Sequence, residues 1–135
     1  MVRATGGCLC GAVRYEVRGP LRDVLVCHCD ECRRWSGHQF AATAAGREDL
    51  VMLEERGLRW LASPKSKSRA RRGFCGECGA SLFWDAPEGD TISIAAGTLD
   101  PPTGLRLMGH VYTSQAGDYY DLPEDGLPRH VRLRR

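Results

Sequence analysis

The seven cysteines of this chain fall into three short groups, and this arrangement limits the possible folds strongly. The groups are Cys8-Leu9-Cys10, Cys27-His28-Cys29-Asp30-Glu31-Cys32 and Cys75-Gly76-Glu77-Cys78. A structural zinc ion takes four protein ligands, whereas a catalytic zinc ion takes three and leaves one position for water or substrate. Two pairs supply four sulfurs, and the triplet supplies three. The pattern therefore predicts one closed metal site and one open metal site.

Length and composition are typical of one globular domain, which we expect to span residues 1–135. No apolar run is long enough to cross a bilayer, and residues 1–7 lack the hydrophobic segment of a secretory signal. We therefore expect a protein of the reducing cytoplasm that makes no membrane contact. Clustered cysteines in that compartment are metal ligands more often than disulfides, and seven thiols cannot all pair within one chain.

The residues around the cysteines predict a mainly β fold with many turns. Val13, Tyr15 and Val17 alternate with other residues, which is typical of a half-buried strand. Residues 30–36 predict a brief helix that ends at Gly37. The 16 glycines and 7 prolines suit a turn-rich β protein. Further extended segments, separated by Gly, Pro and Asp, are predicted at residues 24–27, 40–44, 51–53, 58–61, 82–84, 91–95 and 107–112.

Two cysteine pairs predict the closed site, here called the four-cysteine cluster: Cys8, Cys10, Cys75 and Cys78. The two-residue spacing of Cys75 and Cys78 turns both sulfurs toward one metal, and the following Gly79 can take a positive φ. Cys8 and Cys10 would share one face of a strand, which must bend for both to reach the ion. Such a site closes a long loop and so stabilises the fold.

The triplet Cys27, Cys29 and Cys32, here called the three-cysteine cluster, predicts the open site. Cys29 and Cys32 straddle the start of the predicted helix, whose amino end favours thiolates. Three sulfur ligands select a soft metal such as zinc over magnesium or calcium. With one position open, a bound ion can take an incoming thiol and lower its pKa, or polarise a carbonyl oxygen.

Several alternatives for the triplet stay open at this stage. A histidine could supply a fourth ligand, although His28 is poorly placed because adjacent strand residues point to opposite faces. The same geometry disfavours a nucleophilic pair of Cys27 and His28. His38 and His110 could reach the triplet only if the fold brings them there. The second zinc could be purely structural, or Cys29 and Cys32 could cycle through a disulfide.

The residues around the cysteines resemble the glutathione-dependent formaldehyde-activating enzyme family, which also includes centromere protein V. Residues 7–15, 27–37 and 74–82 carry the resemblance, and residues 96–100 and His110 agree more weakly. In all it covers about residues 6–128. The order and spacing of all seven cysteines make the resemblance specific.

The resemblance implies an Mss4-like, zinc-centred β-sheet fold in a single domain. It implies a structural zinc on the four-cysteine cluster and a catalytic zinc on the three-cysteine cluster. It also implies a carbon–sulfur lyase, similar to S-(hydroxymethyl)glutathione synthase, which joins glutathione and formaldehyde. Residues 114–120, Ser-Gln-Ala-Gly-Asp-Tyr-Tyr, depart from the Ser-Lys-Ala-Pro-Trp-like run that family members often carry. The substrate therefore stays open.

Residues next to the triplet are candidates for binding the substrate: Arg33, Arg34, Trp35, His38 and Gln39. Arginine binds carboxylates through two parallel hydrogen bonds, so Arg33 and Arg34 could hold a glutathione-like ligand, although a solvated helix face explains them equally well. Trp35 could form a wall of the pocket, with Gln39 and Phe40 beside it. We expect His38 to be a surface histidine more than a proton shuttle.

A run of basic residues gives a second functional hypothesis, a non-enzymatic module that binds protein or nucleic acid. Lys65, Lys67, Arg69 and Arg71 recur at every second residue, and Arg72 follows. On a strand the first four would form a basic stripe, which we expect to protect an exposed edge from aggregation more than to bind phosphates. Seven metal-bound thiolates and two zinc ions would lower the formal charge from +2 to about −1, which argues against nucleic acid as a partner.

Overall fold

The computed structural model describes residues 1–64 and 69–132, and it is mainly β, as the sequence predicts. One α-helix, α1 (Asp30–Ser36), interrupts the strands near the amino end. The strands are β1 (Ala4–Gly7), β2 (Arg14–Val17), β3 (Val24–Cys27), β4 (Phe40–Gly46), β5 (Leu50–Glu54), β6 (Leu58–Ala62), β7 (Arg71–Cys75), β8 (Ser81–Asp85), β9 (Thr91–Ala95) and β10 (Leu107–Val111).

The ten strands form two sheets of unequal size. The smaller sheet has the order β1-β2-β5, and the larger has the order β10-β3-β4-β9-β8-β7-β6. All neighbouring strands are antiparallel except β10 and β3, which run parallel. This topology places β3 and β7, which carry cysteines, at different positions of the same large sheet.

The main core lies between the two sheets. Val13, Tyr15 and Val17 are fully buried there, so the predicted alternation around β2 is confirmed. The ring of Tyr15 packs edge-on against Phe83 of β8, with 5.4 Å between the ring centroids. The neutral phenol of Tyr15 also shares a 2.7 Å hydrogen bond with the hydroxyl of Thr98. Apolar packing against the large sheet therefore anchors the small sheet, in addition to the cysteines that join the two sheets.

The helix and most strands occur where the sequence predicts them. Helix α1 spans the predicted residues, and Gly37 ends it with a left-handed φ of 88° while its N–H donates to the carbonyl of Arg33. Two strands, β1 and β7, were missed. Strand β1 is glycine-rich and has a weak strand pattern. Strand β7 begins with the last two residues of the basic run, Arg71 and Arg72, and continues past it to Cys75.

The prediction that the basic stripe protects a sheet edge is wrong for the described residues. Arg69 lies outside any strand with a φ of 56°, and the strand begins only at Arg71. Strand β7 lies between β6 and β8, so it is not an edge. Lys65 and Lys67 lie outside the described residues.

Candidate metal centres

The four-cysteine cluster joins the two sheets at one point. Cys8 and Cys10 lie in the turn between β1 and β2, whereas Cys75 ends β7 and Cys78 lies in the turn that leads to β8. The expectation that Cys8 and Cys10 share a bent strand is therefore wrong, because the strand has already ended at Gly7. A hairpin turn performs the bend instead.

The two turns have matching geometry. Gly11 and Gly79 each follow the second cysteine of a pair, with φ values of 88° and 82°. The Cys75 N–H donates to the carbonyl of Ala80 at 2.9 Å, and the Cys8 N–H donates to the carbonyl of Val13 at 3.0 Å. Since only glycine takes such φ values without strain, both turns depend on the glycine that the sequence places there.

The sulfur positions of this cluster fit one tetrahedral metal ion. The Cys10 Sγ lies 3.8 Å from the Sγ atoms of both Cys8 and Cys75. Sulfurs that bind one zinc at about 2.3 Å in a tetrahedron lie about 3.8 Å apart. The Ala80 N–H and other hydrogen bonds lower the pKa of Cys78 to about 6, so this thiol ionises readily. All four residues could hold a metal ion together.

A third glycine, which sequence reasoning missed, packs directly against this cluster. A Cβ placed on Gly57 would lie 2.8 Å from the Cys75 Sγ and 2.7 Å from the Cβ of Ala12. The Gly57 N–H donates to the carbonyl of Ala12, and the Gly57 carbonyl accepts from Gly76. The turn between β5 and β6 thus supports both cysteine-bearing turns, and only glycine leaves room for the sulfur.

The three-cysteine cluster forms where β3 passes into α1. Cys27 ends β3, Cys29 is the N-cap of α1, and Cys32 lies in its first turn. The Cys32 N–H donates to the Cys29 Sγ at 3.3 Å, so the predicted favourable position at the helix start is confirmed. The three Sγ atoms lie within 4.8 Å of one another and could hold a metal ion.

Electrostatics within this cluster favour a bound cation. Hydrogen bonds from the Cys27 and Cys32 thiols lower the pKa of Cys29 to about 2, whereas the Cys29 and Cys32 sulfurs raise the pKa of Cys27. The three sulfurs therefore oppose one another's ionisation, which favours the thiolate of Cys29 and disfavours that of Cys27. A metal cation between the sulfurs removes that conflict, because it binds all three in the deprotonated form.

The histidines do not close the three-cysteine cluster. Among the described residues, no His, Asp or Glu joins Cys27, Cys29 and Cys32 within ligand distance. His28 is fully buried and points away, with its Nδ1 2.7 Å from the Tyr120 hydroxyl and its Nε2 3.0 Å from the Nδ1 of His110. The poor placement of His28 as a ligand is confirmed.

Two of the substrate-binding candidates are engaged within the protein. The Arg33 Nε donates to the carbonyl of Gln115 at 3.2 Å, and the Arg34 Nε donates to Asp30 at 3.0 Å. The Arg34 side chain is 79% exposed, which agrees with a solvated helix face. The late segment that contains Gln115 thus packs over the start of α1, and the Gln115 Oε1 also accepts from the N–H of Asp30.

The other three candidates lie around the start of β4. Trp35 packs against Phe40, with 5.2 Å between ring centroids, and both contact the apolar side of the three-cysteine cluster. His38 shares a 2.7 Å hydrogen bond with the Tyr119 hydroxyl. The Oε1 of Gln39 is buried and has no hydrogen-bond partner among the described residues. A substrate role for these residues stays a prediction.

Arg72 lies next to the three-cysteine cluster, and sequence reasoning missed this position. Its Nη1 donates to the Cys32 Sγ at 3.6 Å, and its guanidinium carbon lies 5.0 Å from the centre of the Trp35 ring. Its neighbour Arg71 points to the opposite face and pairs with Asp85 at 3.0 Å. The alternation of strand side chains was the signal that could have separated the two arginines.

Comparison with known proteins covers the part of the chain that contains both cysteine clusters. A family model described as "Glutathione-dependent formaldehyde-activating enzyme" matches residues 3–115. The chain belongs to this family. The match includes all seven cysteines and β1 to β10, so the membership inferred from the cysteine pattern is confirmed.

The chain is also similar to a curated protein and to a solved structure. An uncharacterized lyase of Schizosaccharomyces pombe is 30% identical over 79 residues, which are 58% of this chain and 55% of that protein. The matched region therefore spans about half the length of that relative. A crystal structure of a Rhodobacter sphaeroides protein matches with a TM-score of 0.60 and 26% identity, covering 76% of this chain and 97% of the other. Within the described residues we find no helix with the length and apolar character needed to span a membrane.

Proposed function

We propose that this protein is a zinc-dependent carbon–sulfur lyase that acts on the adduct of a thiol and a small aldehyde, as in S-(hydroxymethyl)glutathione synthase. The observation that carries the proposal is the contrast between the clusters: four sulfurs at tetrahedral spacing in one, and three sulfurs without a fourth described ligand in the other. Family membership and a relative named as a lyase support the same class of reaction.

The donor sets fit zinc at both clusters. All seven ligand candidates are thiols, which favour a soft ion over magnesium or calcium, and none is paired in a disulfide. The four-cysteine cluster would hold the structural ion, and the three-cysteine cluster would hold the catalytic one. A zinc ion with three protein ligands supplies a Lewis-acidic position at which a substrate thiol loses its proton readily.

The proposed reaction is the addition of the glutathione thiol to formaldehyde. A carbon–sulfur bond forms, the carbonyl π bond breaks, and the thiol proton ends on the former carbonyl oxygen. Cys27, Cys29 and Cys32 fix where the reacting sulfur sits. Trp35 and Phe40 keep water from the apolar side of that position. Arg33, Arg34, His38 and Gln39 remain the candidates for binding the rest of the thiol compound.

The decisive test measures how fast formaldehyde exchanges with its glutathione adduct in NMR exchange spectra. We expect the protein to raise the rate above the uncatalysed rate measured in buffer with the same zinc concentration. Cys32→Ser should abolish the increase while the protein stays folded. A wild-type protein with full metal content that gives only the uncatalysed rate would contradict the proposal. Replacing glutathione by cysteine or coenzyme A in the same assay tests which thiol is used.

The two alternative functions make different predictions. The hypothesis of a nucleic-acid-binding module loses support, because three arginines of the basic run form ion pairs within the protein. Arg69 pairs with Glu88, Arg71 pairs with Asp85, and Arg72 pairs with Glu31. Binding to DNA or RNA with a steep salt dependence near physiological salt would nevertheless establish it. A redox role for Cys29 and Cys32 predicts that these thiols oxidise while metal is retained. The lyase proposal places the protein in the reducing cytoplasm, where they stay reduced.

A further inference from the structure

Arg72 is a buried cation next to the three-cysteine cluster. The residue is only 4% exposed, although arginine is rarely buried without a strong partner. Its Nη1 donates to the Cys32 Sγ, and its guanidinium lies over the ring of Trp35, which is on the same helix. Two contacts therefore direct Arg72 toward α1 and its cysteine.

The carboxylate near Arg72 does not fully account for this burial. The Arg72 Nη2 lies 3.8 Å from the Oε1 of Glu31, which is long for a charge-assisted hydrogen bond, and the same oxygen accepts from the hydroxyl of Ser63. The Arg72 Nε has no hydrogen-bond partner in residues 1–64 and 69–132. Burying a cation with incomplete hydrogen bonding costs free energy, so a further negative charge should compensate it.

The metal-loaded three-cysteine cluster supplies that charge. Three thiolates and one divalent ion have a net charge of about −1, and Cys32 is buried. The four-cysteine cluster would have a net charge of about −2, but its Cys10 is exposed and water screens it. The three-cysteine cluster contains no exposed cysteine, so water screens its charge less, and Arg72 is in contact with it.

We propose that Arg72 is a positioning residue for the metal ion of the three-cysteine cluster. Its guanidinium holds the Cys32 sulfur in a ligating orientation and offsets the net negative charge of the loaded site. This inference rests on the second metal ion of the proposed function, but not on the reaction. Because Arg72 and Cys75 both lie on β7, the four-cysteine cluster fixes the strand that delivers the cation to the other site.

The test compares Arg72→Gln and Arg72→Lys with Arg71→Gln. Arg71 is a matched control because it is the adjacent residue on the same strand, faces the other side, and stacks on Trp60 at 3.8 Å. Its partner Asp85 keeps a second ion pair with Arg47 when Arg71 is replaced. The measurements are zinc per chain, zinc affinity by competition with a chelator, and the sulfur-to-metal absorption of the cobalt-substituted protein.

We expect Arg72→Gln to keep one zinc at wild-type affinity and to bind the second about 10- to 100-fold more weakly, with altered cobalt absorption. Arg71→Gln should bind both ions as the wild type does. Arg72→Lys keeps the positive charge but not the planar guanidinium group, so its loss of affinity for the second zinc should be intermediate. Wild-type affinity for both ions in Arg72→Gln would overturn the inference.

If Arg72→Gln does not fold, Arg72→Lys decides the matter, because the inference predicts weaker binding of the second ion when the planar guanidinium is lost, and unchanged affinity would contradict it. A wild-type protein that binds two ions but shows no lyase activity would contradict the proposed function and leave this inference intact. A wild-type protein that binds one ion would contradict both.

Discussion

The Nε2 of His28 lies 3.0 Å from the Nδ1 of His110, in the interior of the protein directly behind the three-cysteine cluster. The His110 Nε2 lies 2.8 Å from a carboxylate oxygen of Asp125, and an ionised carboxylate only accepts. With His110 as the neutral imidazole, His110 donates to Asp125, His28 donates to His110, and the Tyr120 hydroxyl donates to the Nδ1 of His28. These hydrogen bonds hold the side chain of His28, which lies between Cys27 and Cys29 in the sequence.

The first prediction concerns this chain of hydrogen bonds. His110→Leu leaves the buried His28 N–H without an acceptor, which should lower the free energy of unfolding by about 1–3 kcal/mol. Asp125→Asn keeps an acceptor at the more exposed end and should cost less. Urea unfolding of the two variants measures the difference. Equal stability of His110→Leu and Asp125→Asn would show that the buried hydrogen bond contributes nothing.

The second prediction concerns Gly57. Gly57→Ala places a methyl group within 3 Å of both the Cys75 Sγ and the Ala12 Cβ, so the four-cysteine cluster must shift. We expect a loss of about 1–3 kcal/mol in stability and easier removal of the structural metal by a chelator. Gly97→Ala is the matched control, because a Cβ there meets nothing within 4 Å. If both variants release metal at the same rate, the close contact at Gly57 has no consequence.

The third prediction concerns alkaline pH. Burial raises the pKa of Tyr15 to about 12, from an ordinary value of 10.0. Between these values the unfolded chain gives up this proton and the folded chain keeps it, so stability falls as pH rises. The loss from this group should approach about 3 kcal/mol above pH 12. Tyr15→Phe lacks the ionising group, so its unfolding free energy should fall less over the same range. Parallel pH curves for the two proteins would refute the prediction.

The fourth prediction separates the two metal sites by their role in folding. Cys78→Ser removes a ligand of the ion that joins the two sheets, and metal-binding free energy at such a site is folding free energy. We expect this variant to lose ordered tertiary structure, and with it the affinity of the second site, because β7 carries Arg72. Cys32→Ser should keep its near-UV circular dichroism. A folded Cys78→Ser protein would show that burial between the sheets suffices.

The sequence predicts much of the fold because its local signals agree with the tertiary structure. Helix α1 ends at Gly37 as predicted, and a glycine at the carboxyl end of a helix is a local signal. The alternation at Val13, Tyr15 and Val17 likewise reports burial on one face. Strand β1 carries no such signal, because antiparallel pairing with β2, and not its own side chains, stabilises its extended conformation.

The features that the sequence did not predict depend on contacts between distant residues. The position of Gly57 against Cys75 follows from the pairing of β6 with β7, which local patterns do not specify. Arg72 follows the basic stripe in the sequence, and its contact with Cys32 depends on how β7 packs against α1, which the sequence does not specify. The partners of His28 come from residues 110 and 120, far along the chain.

The metal content of freshly purified protein, prepared without chelators, shows whether the chain holds one closed and one open site. We expect two equivalents of zinc per chain in the wild type and one in Cys32→Ser, with both proteins folded. A single equivalent in the wild type, or two equivalents in Cys32→Ser, would contradict the division into one closed site and one open site.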